Sequence, residues 1–326
     1  MPPPTPMGRL LGLLSNEKRD IWYIYLYAIV AGLINLSLPL GIQAVFNFVS
    51  SGTVFNSVYL LIGLVILGVV LGGLVQIGQI SLVEVLQQRI FAKAAFEFTY
   101  RLPRIRPEAL RPYYPPELMN RFFDIINVQK SLPKLLIDIT AAAIQVLLGI
   151  LLLSFYHPVF IAFGVVTVLM IWFVVWAYGK RGVETSLTES KYKYKVVAWL
   201  EELARDLSTY RRDADSLEAI DKMDDLVSNY LKYRNDHYRV LRRFYHNAVA
   251  FKAIITGSLL VAGTALVVSR EMTLGQFVAA ELVIVLITSA VEKLIMSIDT
   301  IFDLLTAVEK LGSVTDLPLE TDPSHA

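Results

Sequence analysis

Residues 159–210 read VFIAFGVVTVLMIWFVVWAYGKRGVETSLTESKYKYKVVAWLEELARDLSTY. The first part, 159–178, carries no charge and has about the 20 residues a helix needs to cross ~30 Å of hydrocarbon. The rest, from Lys180 to Tyr210, is rich in Lys, Glu, Ala and Leu, holds no proline, and keeps a helical pattern. A single helix of about 50 residues would be roughly 75 Å long at ~1.5 Å per residue. That is more than twice the hydrocarbon thickness, so this stretch reads as a membrane span continued by a rod ~40 Å long.

Five further apolar stretches follow the same logic: 21–49, 58–83, 135–155, 248–268 and 274–296. The gaps between them alternate in kind. Those at 50–57, 156–158 and 269–273 are short, and of the 30 Lys and Arg residues only Arg270 falls in one of them. The gaps at 84–134 and 179–247 are long and crowded with Lys and Arg, and Arg9, Lys18 and Arg19 precede the first stretch. The positive-inside bias places both termini and both long loops in the cytoplasm. A hydrophobic fraction of 55%, with 18% charged residues and a net charge of +1, is too apolar for an ordinary soluble chain of 326 residues. The expected fold is an all-α membrane protein, six transmembrane helices with long cytoplasmic helical extensions.

Several chemistries have no support. Cysteine is absent, which excludes disulfides and thiolate catalysis. His157, His237, His246 and His325 are scattered and give no metal-ligand spacing, so no metal is expected. The opening Met-Pro-Pro-Pro-Thr-Pro lacks the pattern of a cleaved leader. Leu10, Leu11, Leu13 and Leu14 beside Arg9, Lys18 and Arg19 predict an interfacial helix within 7–20. The stretch 230–245 interleaves Tyr and Phe with Lys and Arg, a mixture that in a soluble protein would suggest nucleic-acid stacking. Directly beneath a span it reads as an interfacial band, and no nucleic-acid partner is expected.

Polar residues inside the spans are the candidate path. Asn35, Gln43 and Asn47 recur at helical spacing around Pro39; Gln76 and Gln79 share a face with Gly72; Gln145 lies in the third span. Such side chains face a wet cavity or hydrogen-bond between helices. Glu281, about two turns inside the sixth span, reads as a cavity wall, a dimer contact or a proton acceptor. Lys252, near the inner end of the fifth, is expected to snorkel toward the headgroups. Gly68-x-x-x-Gly72, with Gly63, Gly73 and Gly78 nearby, predicts close helix packing.

The far ends of the long loops carry recognisable phrases. A helix ending at Leu102-Pro103 is followed by Pro107, Pro112, Pro115 and Pro116, and a fresh helix start at Glu117 leads into Leu118, Arg121, Phe122 and Asp124. With Phe96 and Tyr100 upstream, this resembles the first intracellular loop of ABC exporter membrane domains. The segment 199–210 resembles that family's second loop, 272–278 the phrase opening its sixth span, and 302–320 the linker toward a nucleotide-binding domain. Nearest is the bacterial type I secretion and peptide-exporting branch.

The resemblance implies alternating access driven by a partner subunit that binds ATP and Mg²⁺. Docking into that partner would fall to Glu117, Leu118, Arg121, Phe122 and Asp124 in the first loop, and to Asp206, Tyr210 and Arg211 in the second. Phe122 and Tyr210 would be the apolar plugs. The resemblance also implies a second six-span half, identical or not, the bacterial inner membrane, and a periplasmic adaptor as a possible further partner. The division would be 1–20 tail and interfacial helix, 21–310 six-helix domain, 311–326 linker. No Gly-x-x-x-x-Gly-Lys-Ser/Thr phosphate loop occurs in the sequence, so this chain by itself is not expected to hydrolyse ATP. Two other readings stay open: an interaction or regulatory protein on the exporter fold, and a carrier driven by an ion gradient through Glu281.

Overall fold

A computed structural model describes residues 4–52, 56–111, 115–212 and 217–320, with backbone alone at 115–117, 209 and 212. In chain order the helices are α1 (Pro6–Ser15), α2 (Lys18–Asn35), α3 (Ser37–Ser50), α4 (Asn56–Arg101), α5 (Pro107–Leu110), α6 (Pro115–Asn120) and α7 (Asp124–Pro133). They continue as α8 (Thr140–Tyr156), α9 (Val159–Arg205), α10 (Leu207–Arg212), α11 (Glu218–Val268), α12 (Leu274–Met296) and α13 (Ile298–Thr315). Among the described residues six helical stretches are long and apolar enough to cross a membrane.

Local chemistry sets the boundaries. Thr5 caps α1 by accepting the Gly8 N–H at 3.2 Å, with Pro6 at the first helical position. Thr273 and Gln276 form a capping box that starts α12: each side chain accepts the other's backbone N–H, at 3.1 and 2.9 Å. The turn before it is closed by Arg270 at φ 63°, the left-handed conformation that ends many helices. Pro39 has no N–H to offer Asn35, and the first span breaks at Leu36 into α2 and α3. Pro133 likewise leaves the Gln129 carbonyl without its helical partner. Gln87 Nε2 supplies the missing donor, and Gln129 returns a bond from its own amide to the Gln87 carbonyl at 3.4 Å. A π-helical turn, Lys134–Ile139, follows at once.

The two long rods are as expected. α9 and α11, with 47 and 51 residues, run side by side well past their apolar parts. α4 makes a second extension, paired with α7. Two cores hold the molecule. One gathers Phe160, Phe244, Leu259, Val283 and Phe302 from α9, α11, α12 and α13. The other gathers Ile24, Leu86, Leu118, Ile125, Leu132 and Leu304 around α2, α4, α7 and α13. α13 therefore belongs to the packed body, and its helix continues to Thr315, into the stretch expected to be linker.

The helix α1 and the turn after it are clamped by ion pairs. Arg9 pairs with Glu309 at 2.9 Å and with Asp316, while Glu17 accepts from Arg89 at 2.5 Å and from Lys93. Lys252 pairs with Glu292 of α12 at 2.8 Å. Of the small-residue face on α4, Gly68 and Gly72 lie against Ser37 and Asn35, while Gly63 and Gly73 face open space.

Candidate functional site

α2, α4, α8 and α12 surround a cavity of about 420 Å³ at the level of the break in the first span. Asn35, Gln76, Gln79 and Gln145 all line it. Their placement has local causes. Gln79 is buried and donates to the Ile24 carbonyl at 3.3 Å, which fixes α4 on α2. Gln145 donates to the Leu286 carbonyl at 3.4 Å, bracing α8 on α12. The Asn35 side chain lies against Gly72, where a Cβ would stand 3.3 Å from Oδ1, a tight contact. At the rim Lys293 pairs with Asp138 at 2.8 Å. The lining is thus neutral amide with one ion pair. It offers hydrogen bonds of both senses to a polar solute, together with apolar wall from Ile34, Ile137 and Leu286.

The remaining polar candidates lie elsewhere. Gln43 accepts a hydrogen bond from Tyr156 at 2.7 Å. Asn47 packs against Gly275, where a Cβ would be 2.0 Å from Oδ1. Glu281 is half-buried on α12 and is not part of the cavity lining; its Oε1 is buried without a hydrogen-bond partner.

At the far ends of the rods the structure separates inward from outward residues. Leu118 is fully buried, Arg121 donates to Ser313 at 2.5 Å, and Asp124 accepts from Tyr194 and from Asn127 at 3.1 Å. Phe122 turns inward, edge-on to Phe91 and Phe98 at 5.6 and 5.4 Å. The Glu117 side chain lies outside the described residues. On the second tip α9 ends at Asp206, where the backbone leaves the helix, and α10 folds back. Trp199 organises this turn: its indole donates to the Ala219 carbonyl at 3.3 Å, Lys222 sits over its ring at 3.5 Å, and Tyr210 meets it edge-on at 5.7 Å. Arg211 and Asp206 are exposed. Asn120 donates to Glu201, which joins the first tip to the second.

Several of the outward residues at these tips are apolar. Met119 and Phe123 are 49% and 62% exposed on the first, Leu207 and Ile220 60% and 64% on the second. Farther back on α4, Phe96 and Tyr100 are exposed as well.

The family described as ABC transporter transmembrane region matches residues 21–291. The chain belongs to that family. No curated protein matches it. As an ABC transporter membrane domain it is a multi-pass protein, and the matched region contains both rods, both tips and all of the named cavity lining except Lys293. Within this ABC transporter domain the coupling candidates fall into two groups. Leu118, Arg121, Phe122 and Asp124 hold the first tip together from inside, whereas Asp206 and Arg211 face out and Tyr210 is half-buried. Sequence reasoning passed over Met119, Phe123 and Leu207 at the tips, and over Asp138 and Lys293 at the cavity. Lys293 and Asp138 sit where spans meet polar gaps, and only their pairing across two helices sets them apart.

Proposed function

We propose that this chain is the permease half of an ATP-driven exporter, coupled through its two tips to a nucleotide-binding subunit. The observation that carries this reading is the apolar exposure at the far ends of the rods. The rods exceed the hydrocarbon by ~40 Å, so Met119, Phe123, Leu207 and Ile220 have no lipid to cover them. An exposed apolar patch in water marks a partner surface. The docking contacts therefore come from these four residues, with Arg211 and Asp206 as polar neighbours. Arg121, Phe122 and Asp124 act behind them, transmitting force by keeping the tip rigid on α4, α9 and α13.

ATP and Mg²⁺ belong to a nucleotide-binding domain or subunit, since residues 1–326 hold no phosphate loop to cradle a nucleotide. The rods and termini lie in the cytoplasm, a reading that the charge bias of the loops supports, and the resemblance to the bacterial exporting branch points to the inner membrane. A second six-span half completes the path, and the amide-lined cavity between α2, α4, α8 and α12 is its share of that path on this side.

The test is co-expression with candidate nucleotide-binding subunits, followed by co-purification and ATPase assay in nanodiscs. A stable complex that loses binding when Met119 and Phe123 are changed to Asp supports the reading. A chain that binds no such subunit sinks it and leaves an interaction protein on the exporter fold. Uptake that follows an ion gradient and fails in Glu281→Gln would instead establish the carrier.

A further inference from the structure

One groove lies apart from the tips and from the cavity. α9 presents Arg181, Thr185 and Thr188 on one face, and α11 presents Tyr233, Asp236 and Arg243 opposite them. The spacings are i, i+4, i+7 on the first helix and i, i+3, i+10 on the second, so each set lies along a single stripe. Together they enclose about 370 Å³.

The charge in this groove is unbalanced. Arg181, Arg239 and Arg243 face Glu184 and Asp236, three cations to two anions. Asp236 is already paired with Arg239 at 2.9 Å. Arg181 and Arg243 make no ion pair among the described residues, and both are exposed. The threonines cannot donate to a ligand, because Thr185 donates to the Arg181 carbonyl at 2.9 Å and Thr188 to the Glu184 carbonyl at 2.8 Å. The donors left over are the guanidinium groups and the Tyr233 hydroxyl, which accepts from Tyr192 at 3.3 Å; guanidinium groups suit phosphate oxygens.

Depth decides where the phosphate comes from. Arg181 lies three residues past the apolar stretch 159–178, and Arg243 five residues before 248–268. At ~1.5 Å per residue these are distances of about 5 and 8 Å, within the headgroup layer flanking the ~30 Å hydrocarbon. Trp172 and Trp176, stacked at 6.0 Å and exposed on α9, occupy the adjoining part of the span. We infer that this groove holds the phosphate of an anionic phospholipid, clasped by Arg181 from α9 and Arg243 from α11. Basic pockets between spans on the positively charged side are where anionic headgroups bind. A lipid in this position ties together the two rods that carry the second tip, and its presence stiffens that pair.

The test uses the full chain in phosphatidylcholine nanodiscs with and without phosphatidylglycerol, read by thermal unfolding and by native mass spectrometry of retained lipid. Phosphatidylglycerol is expected to raise the unfolding midpoint by several degrees and to be retained over phosphatidylcholine. The double variant Arg181→Gln/Arg243→Gln loses both effects. Lys180→Gln/Arg242→Gln removes the same charge at the same depth outside the groove, and keeps them. Equal responses from the two double variants overturn the site, because general surface charge would then explain the effect. A shift of the same size from inorganic phosphate in a zwitterionic detergent overturns the lipid in favour of a soluble anion. Should the groove variant fail to fold, lipid retention by the unaltered chain decides, and equal retention of the two lipids ends the proposal.

Discussion

The ring of Phe302 fills the space that a side chain at Gly182 would need: a Cβ there would lie 2.1 Å from the ring. Phe302 is buried, and this contact seats α13 on α9 just beyond the apolar part of the fourth span. Gly182→Ala therefore forces the ring aside, at about 1–3 kcal/mol for an overpacked core. Phe302→Ala costs about 3–5 kcal/mol by leaving a cavity. Because the two residues touch, the double variant loses less than the sum. Thermal unfolding of all three proteins in one detergent measures this, and strict additivity would show that the contact is not made.

The tips separate stability from docking. Phe123→Asp leaves the unfolding midpoint near that of the parent, since the ring is exposed, yet abolishes capture of the nucleotide-binding subunit. Phe122→Ala does the reverse in part, lowering stability by about 0.5–3 kcal/mol through lost contact with Phe91 and Phe98. Midpoints alongside pull-down yields distinguish the two; equal loss of binding in both variants would remove the distinction between inner and outer aromatic residues.

Asp138 and Lys293 are each partly exposed, so breaking their pair changes stability by no more than about 1 kcal/mol. Their effect is on recognition. Asp138→Asn and Lys293→Met alter which compounds stimulate ATP turnover by the assembled complex, Lys293→Met most strongly for solutes carrying an acid. A stimulation profile identical to the parent's across a panel of acidic, basic and neutral solutes would exclude the cavity from the path.

Glu17 sets the acid limit of the α1 clamp. Burial pushes its carboxyl up, but hydrogen bonds from Lys93 and Arg89 and the charge of both outweigh this and hold it below the ordinary value of 4.5. A folded value that is depressed means stabilisation that is complete above 4.5 and is lost as the pH falls through the lower folded value. Protection of α1 from proteolysis is expected to fall in that acid range and to fall less steeply in Glu17→Gln, where only the Arg9 pairs with Glu309 and Asp316 remain to be lost. A parent chain whose α1 is equally protected on both sides of the range would show that the clamp does not depend on this carboxylate.

Hydropathy and loop charge made the spans legible, and the lack of helix breakers made the rods so. The cavity was legible in part. Gln76 and Gln79 share a helix face, and Asn35 and Gln145 meet them. Gln43 and Asn47 do not, because the helix breaks at Leu36 and α3 carries them toward Tyr156 and Gly275. Reading one continuous helix through Pro39 put all three on one face. A similar shift decides which aromatic residue faces outward. Arg121–Phe123 is a 3₁₀ turn, with three residues per turn in place of 3.6, and it directs Phe122 inward and Phe123 outward. Periodicity cannot signal either event, since both begin with a local loss of the helical repeat.

The π-turn at Lys134–Ile139 also bears on how the third span can change over generations. Such a turn absorbs one residue more than an ordinary helix would, so losing one of its residues restores the regular repeat and leaves everything after it in place. A deletion between Thr140 and Gln145 has no such slack, and everything after it would rotate by about 100°. Gln145 would swing out of the cavity, and Gly149 would leave Ile287, whose Cγ1 stands 2.6 Å from where a Cβ would be. Point substitutions along this span can be absorbed by neighbouring side chains, but a change in its length beyond the turn cannot. Within this span, insertions and deletions should be purged far more severely than replacements of comparable size.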